Sequence, residues 1–340
     1  MTEIRHLALA AALAALAVPA VAAPLDGYSS FYVFGDSLSD PGNLPAGYAP
    51  PSPPYYSDGD ANPSGVGLMP AGASVQFSDG PVWAELVGAT GNFAFGGARA
   101  TGGGALPPDF ASQISLFEGY VGGATGTSDL AAVWFGANDL FAAIRDAAGA
   151  ASLAEATAII GGAAFNAAQA IGDGIERLAA DGFETFAVFN LPALELTPAF
   201  LDDPDTIEDD LRSFAAQAAT DAFNQFLALE IASLGALDVV SIDVDALFSD
   251  VRQNSEAFGI TNVDDPCVVF GDGVFSVCAD PASYLFFDAV HPSSTAHAAI
   301  AEAFTDALGR PVAPVPLPAG LPLLLAGVGG LALVRRRVAR

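Results

Sequence analysis

The sequence predicts a single α/β domain with a parallel sheet that helices cover on both faces. Short apolar runs of strand length alternate along the chain with segments of helix length. Continuous apolar runs are typical of parallel strands that are buried on both faces. A chain of 340 residues with 52% hydrophobic and only 15% charged residues can bury one large core and does not fit a disordered protein.

The strands are predicted where apolar or aromatic residues run together without a helical period. These runs are Ser30–Gly35, Asn92–Phe95, Leu130–Phe135, Phe183–Phe189 and Leu237–Val244. The long helices are predicted over Ala154–Ala180, Ile207–Leu234 and Ser293–Leu308. Pro41–Ala73 is rich in Pro, Gly, Ser and Tyr, which favours a long loop with little regular structure.

Charge and composition exclude several classes of function. The formal net charge is -28, and every basic residue apart from His is Arg, so a basic patch for nucleic acid or an anionic surface is not expected. Two Cys and three His are too few for a Cys-rich zinc site or an iron–sulfur cluster. The acidic run Asp202–Asp210 could bind Ca²⁺ but lacks the spacing of an EF-hand loop. We therefore expect no metal site.

Both ends are predicted to be processing segments, which places the folded domain within residues 23–310. Residues 1–22 combine Arg5 with an apolar run and a small-residue stretch, typical of a secretory signal peptide. A mature N-terminal helix is the alternative. In residues 311–340 a Pro-rich spacer precedes the uncharged apolar run Leu317–Val334 and a cluster of Arg. This run is just long enough to span a bilayer, with the Arg cluster on the cytoplasmic side.

The C-terminal segment also resembles a VPLPA-CTERM sorting signal, because Val315–Ala319 reads VPLPA before the apolar run and the Arg cluster. The resemblance implies export to the surface or surroundings of a Gram-negative bacterium. It further implies an exosortase-type processing enzyme as a partner, with membrane contact through the C-terminal helix before processing. A simple C-terminal anchor is the alternative.

Cys267 and Cys278 flank two β-rich runs joined by Gly271-Asp272-Gly273. This pattern predicts a β-hairpin with a Cys at each base. In an exported protein we expect the two to form a disulfide. A pair of free structural thiols is the alternative.

Two short blocks place small and polar residues directly after predicted strands. The first block is Phe34–Asp40 (FGDSLSD), in which Ser37 follows a strand at the mouth of an open α/β sheet. A serine in a polar turn is otherwise a helix cap. The second block is Asn92–Ala98 (NFAFGGA), whose paired glycines let the backbone approach a ligand and expose N–H groups, or simply form a turn.

Two further blocks supply an amide and a histidine. Asn138, in the sequence WFGAND, is predicted at the end of an apolar strand, where its amide could donate to an oxyanion or cap the next helix. Asp288 and His291, in DAVH, lie three residues apart in a loop before the last helix. That spacing can place a carboxylate against an imidazole. His297 lies within the last predicted helix without a neighbouring Asp, so His291 is the favoured functional histidine.

The four blocks, in this order and together with residues 77–83 (FSDGPVW), resemble the GDSL (SGNH) family of serine hydrolases. The resemblance covers about residues 30–309. It implies a three-layer, flavodoxin-like fold with a five-stranded parallel sheet of order 2-1-3-4-5 and helices on both faces. There is no Gly-x-Ser-x-Gly elbow, so an ordinary α/β-hydrolase is not expected.

The resemblance also implies roles for individual residues. Ser37 is the expected nucleophile, His291 the general base and then general acid, and Asp288 the carboxylate that orients the imidazole. The expected oxyanion hole consists of the Ser37 N–H, the Gly97 N–H and the side chain of Asn138. Gly97 is preferred over its neighbour Gly96 because it immediately precedes alanine, as in the family's block.

The expected function is that of a secreted or surface-attached carboxylic ester hydrolase that acts on acyl esters or lipids through an acyl-enzyme, with no metal and no cofactor. Residues 59–75 look like an insertion relative to the family, which leaves the substrate open. A deacetylase of extracellular polysaccharide and transfer of the acyl group to an alcohol other than water are alternatives. A non-catalytic surface or matrix protein with the same fold is a further one.

Overall fold

The structure, a computed structural model, describes residues 25, 27–44, 76–102, 106–122, 126, 128–201, 207–271 and 274–309. Several segments discussed above lie outside these residues. They are the predicted signal peptide, residues 311–340 with the predicted sorting signal, most of the predicted Pro41–Ala73 loop, the expected insertion at 59–75 and residues 202–206 of the acidic run. No helix in the described part of the chain is both long enough and apolar enough to cross a bilayer.

Five strands form one sheet in which every neighbouring pair is parallel. Their order is β2-β1-β3-β4-β5, which confirms the predicted arrangement. The strands are β1 (Phe31–Gly35), β2 (Gly91–Asn92), β3 (Leu130–Trp134), β4 (Thr185–Phe189) and β5 (Asp238–Ile242). Strand β2 pairs with one edge of β1, and β3 pairs with the opposite edge. The connections that leave β1 and β3 therefore run in opposite directions, and a crevice opens between them at the carboxyl ends of these two strands.

The helices of the described part flank this sheet. They are α1 (Trp83–Leu86), α2 (Phe110–Val121), α3 (Ala137–Ala147), α4 (Leu153–Ala180), α5 (Ile207–Ser233), α6 (Val244–Gln253) and α7 (Ser294–Ala307). Side-chain caps fix several of the helix starts, as where Ser152 accepts the Glu155 N–H at the start of α4.

Aromatic side chains of β1 pack against helices on opposite faces of the sheet. The Phe31 ring centroid lies 5.3 Å from that of Phe304 in α7. On the other face, Tyr32 and Phe34 lie 5.1 and 5.8 Å from Phe117 in α2. Because successive side chains of a strand point to opposite faces, these contacts define a three-layer α/β fold with β1 fully buried.

The predicted strands and long helices are present, with some differences at their ends. The predicted strand Asn92–Phe95 is shorter, since β2 covers only Gly91–Asn92. Even so, the N–H groups of Phe93 and Phe95 still donate to carbonyls of β1 at 2.7 and 3.1 Å. The short helices α1, α2 and α6 were not predicted from the sequence, and α3 begins slightly earlier than the helix expected after Asn138.

Two small sheets lie outside the main one. One pairs β6 (Asn262–Pro266) with β9 (Tyr284–Phe286) in parallel. The other is an antiparallel hairpin of β7 (Val268–Gly271) and β8 (Val274–Val277). The Cys267–Cys278 disulfide closes the base of this hairpin, which confirms the predicted hairpin and bridge.

Candidate active site

Ser37 lies in the turn after β1, at the carboxyl edge of the sheet. The preceding residue, Asp36, fixes this turn because its Oδ1 accepts the Leu38 N–H at 3.0 Å and its carbonyl accepts the Ser39 N–H at 3.1 Å. Asp36 is fully buried, whereas Ser37 remains 8% exposed. The turn therefore presents the Ser37 hydroxyl at the crevice where open α/β sheets bind their ligands.

His291 and Asp288 lie in the loop between β9 and α7, which brings them to Ser37. The His291 Nε2 is 2.8 Å from the Ser37 Oγ, and its Nδ1 is 2.7 and 2.9 Å from the two carboxylate oxygens of Asp288. The backbone N–H groups of Val290 and His291 also donate to Asp288 Oδ1, at 2.9 and 2.8 Å. In this arrangement the imidazole can accept the proton of the hydroxyl, and the carboxylate can stabilise the imidazolium that forms.

The ionisation of Asp288 and His291 follows from their contact. Burial raises the pKa of Asp288, but the charge and hydrogen bond of His291, together with two backbone N–H donors, bring it down to about 2. Burial alone lowers the pKa of His291, whereas the charge and hydrogen bond of Asp288 and the charge of Asp36 raise it above its usual value. An ionised Asp288 holds the proton of the neutral imidazole on Nδ1 and leaves Nε2 to accept from Ser37.

Gly96 and Gly97 line the same cavity as Ser37, but their N–H groups differ. The Gly96 N–H donates to Asp40 Oδ2 at 2.6 Å. The Gly97 N–H has no hydrogen-bond acceptor among the described residues. Gly97 also has a φ of +77°, which a residue with a Cβ adopts only with strain. Of the two glycines, Gly97 is thus the one able to donate to a ligand.

Asn138 lies in the first turn of α3 and not at the end of a strand as predicted, because β3 ends at Trp134. It does not cap the helix either, since Gly136 occupies the N-cap position. Its Nδ2 donates to the Ala98 carbonyl at 3.0 Å and to Asp36 Oδ2 at 3.3 Å. The amide of Asn138 is thus directed toward the turn that carries Ser37.

Asp40 is a buried carboxylate to which the sequence analysis gave no role. Its Oδ1 accepts the N–H groups of Gly42 and Asn43, and its Oδ2 accepts that of Gly96. Burial raises the pKa of Asp40 to about 7, although these three donors oppose the shift. The Asn43 amide donates in turn to the carbonyls of Asn92 and Ala94. The turn after β1 is thereby tied to the segment that carries the paired glycines.

Ser37 and His291 line a cavity of about 430 Å³, which is a typical size for a site that binds a small ligand. The wall is largely apolar, with Asn138 and Thr197 among its few polar side chains. The apolar lining residues are Leu38, Leu44, Phe77, Pro107, Trp134, Ala137, Phe141, Leu191, Pro192, Leu194, Phe248, Phe286, Val290 and Pro292. Such a wall can exclude water from a hydrocarbon chain.

The disulfide-closed hairpin hydrogen-bonds to the chain just before Asp288. The Cys267 N–H donates to the Phe286 carbonyl at 3.1 Å, and the Val268 N–H donates to the Phe287 carbonyl at 2.8 Å. The Phe287 side chain is buried against Cys267 and Val268 in a small separate cluster. The hairpin therefore supports the loop that carries Asp288 and His291.

The remaining polar groups singled out from the sequence lie elsewhere. His297 is buried in α7, where its Nδ1 accepts the Trp83 N–H at 3.4 Å, and burial lowers its pKa to about 3. In the part of the chain that the structure describes, no group of three or more His, Cys, Asp or Glu residues could hold a metal ion.

A five-stranded parallel sheet in the order β2-β1-β3-β4-β5, with a serine just past its first strand, defines a three-layer α/β protein of the SGNH type. The family described as "GDSL-like Lipase/Acylhydrolase" matches residues 31–304. The chain belongs to this family.

A curated relative is the phosphatidylcholine-sterol acyltransferase of Aeromonas hydrophila, which is 25% identical over 257 residues. The match covers 71% of this chain and 65% of the relative. The chain thus spans somewhat less than two thirds of the length of this relative.

Proposed function

We propose that the protein is an exported carboxylic ester hydrolase that acts through a serine nucleophile and an acyl-enzyme. The observation that carries this proposal is the hydrogen-bonded series from Ser37 Oγ to His291 Nε2 and from His291 Nδ1 to Asp288. Membership of the GDSL-like lipase/acylhydrolase family supports an enzyme that acts on esters.

In the acylation step, Ser37 Oγ attacks the ester carbonyl carbon while His291 Nε2 takes the hydroxyl proton. Asp288 stabilises the resulting imidazolium without taking its proton. The negative charge that develops on the carbonyl oxygen is stabilised by the N–H groups of Ser37 and Gly97 and by the Asn138 amide. The tetrahedral intermediate then expels the alcohol, which receives its proton from His291.

In the deacylation step, water takes the place of the departed alcohol. His291 Nε2 accepts a proton from this water as its oxygen attacks the acyl carbon bound to Ser37 Oγ. Collapse of the second tetrahedral intermediate breaks the bond to Oγ, returns the proton to Ser37 and releases the carboxylic acid. Each turnover therefore converts one ester and one water into one alcohol and one acid.

The substrate is proposed to be an acyl ester or lipid with an apolar acyl chain. The cavity beside Ser37 is lined mainly by aliphatic and aromatic side chains, which bind hydrocarbon by removing it from water. An acetyl group on a sugar would leave most of this apolar wall unused, so a polysaccharide deacetylase is the less favoured activity.

Acyl transfer to an alcohol is a second candidate, because the Aeromonas relative is named as a sterol acyltransferase. The same acyl-enzyme serves both reactions, and they differ only in whether water or an alcohol attacks it. Adding a long-chain alcohol or a sterol to the assay and measuring new ester beside free acid separates the two.

Export remains part of the proposal, and the disulfide between Cys267 and Cys278 supports it, since such bonds persist in oxidising compartments. Processing by an exosortase-type enzyme, with transient membrane contact at the C-terminus, is proposed from residues 311–340. Mass spectrometry of the protein recovered from culture medium and cell envelope tests this cleavage and the removal of the proposed signal peptide.

The proposed function is tested with nitrophenyl esters from acetate to palmitate, assayed with wild type, Ser37→Ala and Ser152→Ala. Ser152 is an exposed helix cap outside the cavity, so its variant controls for the loss of a hydroxyl. We expect Ser37→Ala to lose activity on the order of 10⁴- to 10⁶-fold. Activity that survives in Ser37→Ala contradicts the proposal. Wild-type activity on acetate alone favours a deacetylase, and silence on every ester favours a non-catalytic protein.

A further inference from the structure

Residues 77–80 (Phe-Ser-Asp-Gly) contact the chain around His291 without belonging to the proposed catalytic residues. This segment precedes α1, far in sequence from the loop between β9 and α7. The Ser78 Oγ donates to the Pro292 carbonyl at 3.1 Å. Both Ser78 and this contact are buried, so the bond is shielded from competing water.

Asp79 binds the residue that begins α7. Its Oδ1 accepts the Ser294 N–H at 2.7 Å, and its Oδ2 accepts the Ser294 hydroxyl at 2.9 Å. The first N–H groups of a helix lack partners within the helix, and a carboxylate there also interacts favourably with the helix dipole. Asp79 thereby fixes the point at which the chain leaves His291 and enters α7.

Phe77 packs between His291 and the paired glycines. Its ring centroid lies 5.1 Å from that of the His291 imidazole. A Cβ on Gly96 would lie 2.3 Å from an atom of the same ring, so the ring packs directly against the Gly96 backbone. Phe77 thus lies between the imidazole of His291 and the backbone of Gly96. The residue after Gly96 is Gly97, whose N–H is the proposed oxyanion donor.

Gly80 allows the two segments to approach closely. A Cβ at position 80 would lie 2.7 Å from the Ser294 Cβ, which is closer than real Cβ atoms come. Residues 77–80 therefore all contact this region. Phe77 contacts the imidazole ring of His291, and the other three contact the chain that follows His291. On the N-terminal side, the Phe287 N–H donates to the His291 carbonyl at 2.8 Å.

We propose that residues 77–80 form a brace that positions His291 for proton transfer with Ser37, with Ser78 and Asp79 as positioning residues. The inference rests on the proposed function, since it assigns His291 as the base. The loop between β9 and α7 has no regular secondary structure, so its placement relative to the turn after β1 depends on contacts such as these. Displacement of a reacting group by about 1 Å can lower a rate about 10²-fold.

The test compares Asp79→Ala, Asp79→Asn and Ser78→Ala with Ser152→Ala, using one short-chain nitrophenyl ester. We expect kcat to fall about 10- to 100-fold in Asp79→Ala and Ser78→Ala, with KM unchanged. Asp79→Asn retains an oxygen for the Ser294 N–H and should recover most of the lost kcat. Ser152→Ala removes a helix cap away from the cavity and should lower thermal stability without lowering kcat.

A pH profile of kcat/KM separates an effect on the position of His291 from an effect on its pKa. The Asp288–His291 pair is formed within its own loop, so the acid limb of kcat/KM should stay in place in the brace variants while the plateau falls. If the folded brace variants have the kcat of Ser152→Ala, the inference is overturned. If Asp79→Ala does not fold, Ser78→Ala decides, because it removes one hydroxyl and leaves the α7 contact intact. Activity retained by Ser37→Ala would instead contradict the proposed function.

Discussion

Three carboxyl groups lie around Ser37, and their surroundings give them different charges: Asp36 and Asp40 are fully buried, and Asp288 is partly exposed. Asp288 faces His291, and this partner brings its pKa down to about 2 in spite of burial. Burial raises the pKa of Asp36 and of Asp40 to about 7, because backbone and Asn138 N–H donors compensate only in part. Near neutral pH only Asp288 is therefore fully ionised, as a partner of an imidazolium requires.

The rate of ester hydrolysis is expected to depend on the charge of His291. The imidazole accepts a proton only when neutral, and the pKa of His291 lies above its usual value. We therefore predict that kcat/KM falls as pH decreases through a midpoint above about 6.5, the ordinary pKa of histidine. The measurement is kcat/KM for a nitrophenyl ester from pH 4 to pH 9, at temperatures where the protein stays folded.

Asp288→Asn tests the source of that shift. Without the carboxylate, burial is the dominant influence on the His291 pKa, so the acid limb should move to lower pH. The rate at the plateau should fall on the order of 10⁴-fold, because the imidazole loses both its orienting partner and the stabilisation of its charge. An acid limb that stays at the wild-type pH would contradict the assignment of Asp288.

The β7–β8 hairpin supports the loop that carries Asp288 and His291 through backbone hydrogen bonds at its base. Replacing both Cys267 and Cys278 by Ser removes a bridge with a sequence separation of 11. We predict a loss of about 2–3 kcal/mol in the free energy of unfolding, or about 3–5 °C in Tm. Because the N–H groups of Cys267 and Val268 donate to the carbonyls of Phe286 and Phe287, esterase activity should also fall. Calorimetry and ester assays of the double variant check both effects.

A reducing agent gives the matching control for this prediction. Wild type treated with reductant should approach the double variant in Tm and activity, while the double variant should not respond. If the double variant unfolds at the wild-type temperature, the hairpin does not support the domain in the way described.

Elements that are long or buried on both faces could be predicted from the sequence, as could the hairpin between the two cysteines, whereas the other short elements mostly could not. β1 and β3 are fully buried and therefore have unbroken apolar sequences. β6 has the sequence NVDDP and is half-exposed, so it lacks any apolar pattern. α3 begins at Ala137, within the block that contains Asn138, and the apolar run up to Phe135 led to the placement of Asn138 on a strand.

The same distinction applies to the candidate site. Ser37, Asp288 and His291 lie in short motifs that resemble those of the GDSL family, and this resemblance implies their roles. Asp40 and Asp79 act through backbone N–H groups that lie 56 and 215 positions away. No local pattern reveals such partners, so only the folded chain shows what these two carboxylates bind.

At the scale of the whole molecule, the buried His297 makes stability depend on pH. Its pKa is lowered to about 3 by burial and by the charge of His291, against about 6.5 in an unfolded chain. The unfolded state therefore binds a proton first, and the contribution of His297 to stability is complete above pH 6.5 and decreases as the pH falls toward 3. Asp36 and Asp40 act in the opposite direction, because their pKa values are raised in the folded state.

His297→Gln isolates this contribution. Relative to wild type, the variant should gain about 1.4 kcal/mol in free energy of unfolding for each pH unit below 6.5, whatever its stability at pH 7. Urea unfolding at pH 7, 6 and 5 measures the difference between the two proteins. A constant difference across this range would mean that His297 is not held neutral in the folded protein.

The two halves of the proposed proton transfer, Ser37 and His291, are 254 positions apart in the chain. One follows the first strand and the other precedes the last described helix, so a ribosome finishes nearly the whole domain before the hydroxyl has its base. Products of premature termination, however well their amino-terminal strands pair, would lack esterase activity. If the proposed function holds, a nascent chain cannot hydrolyse an ester until α7 has docked and His291 has reached Ser37.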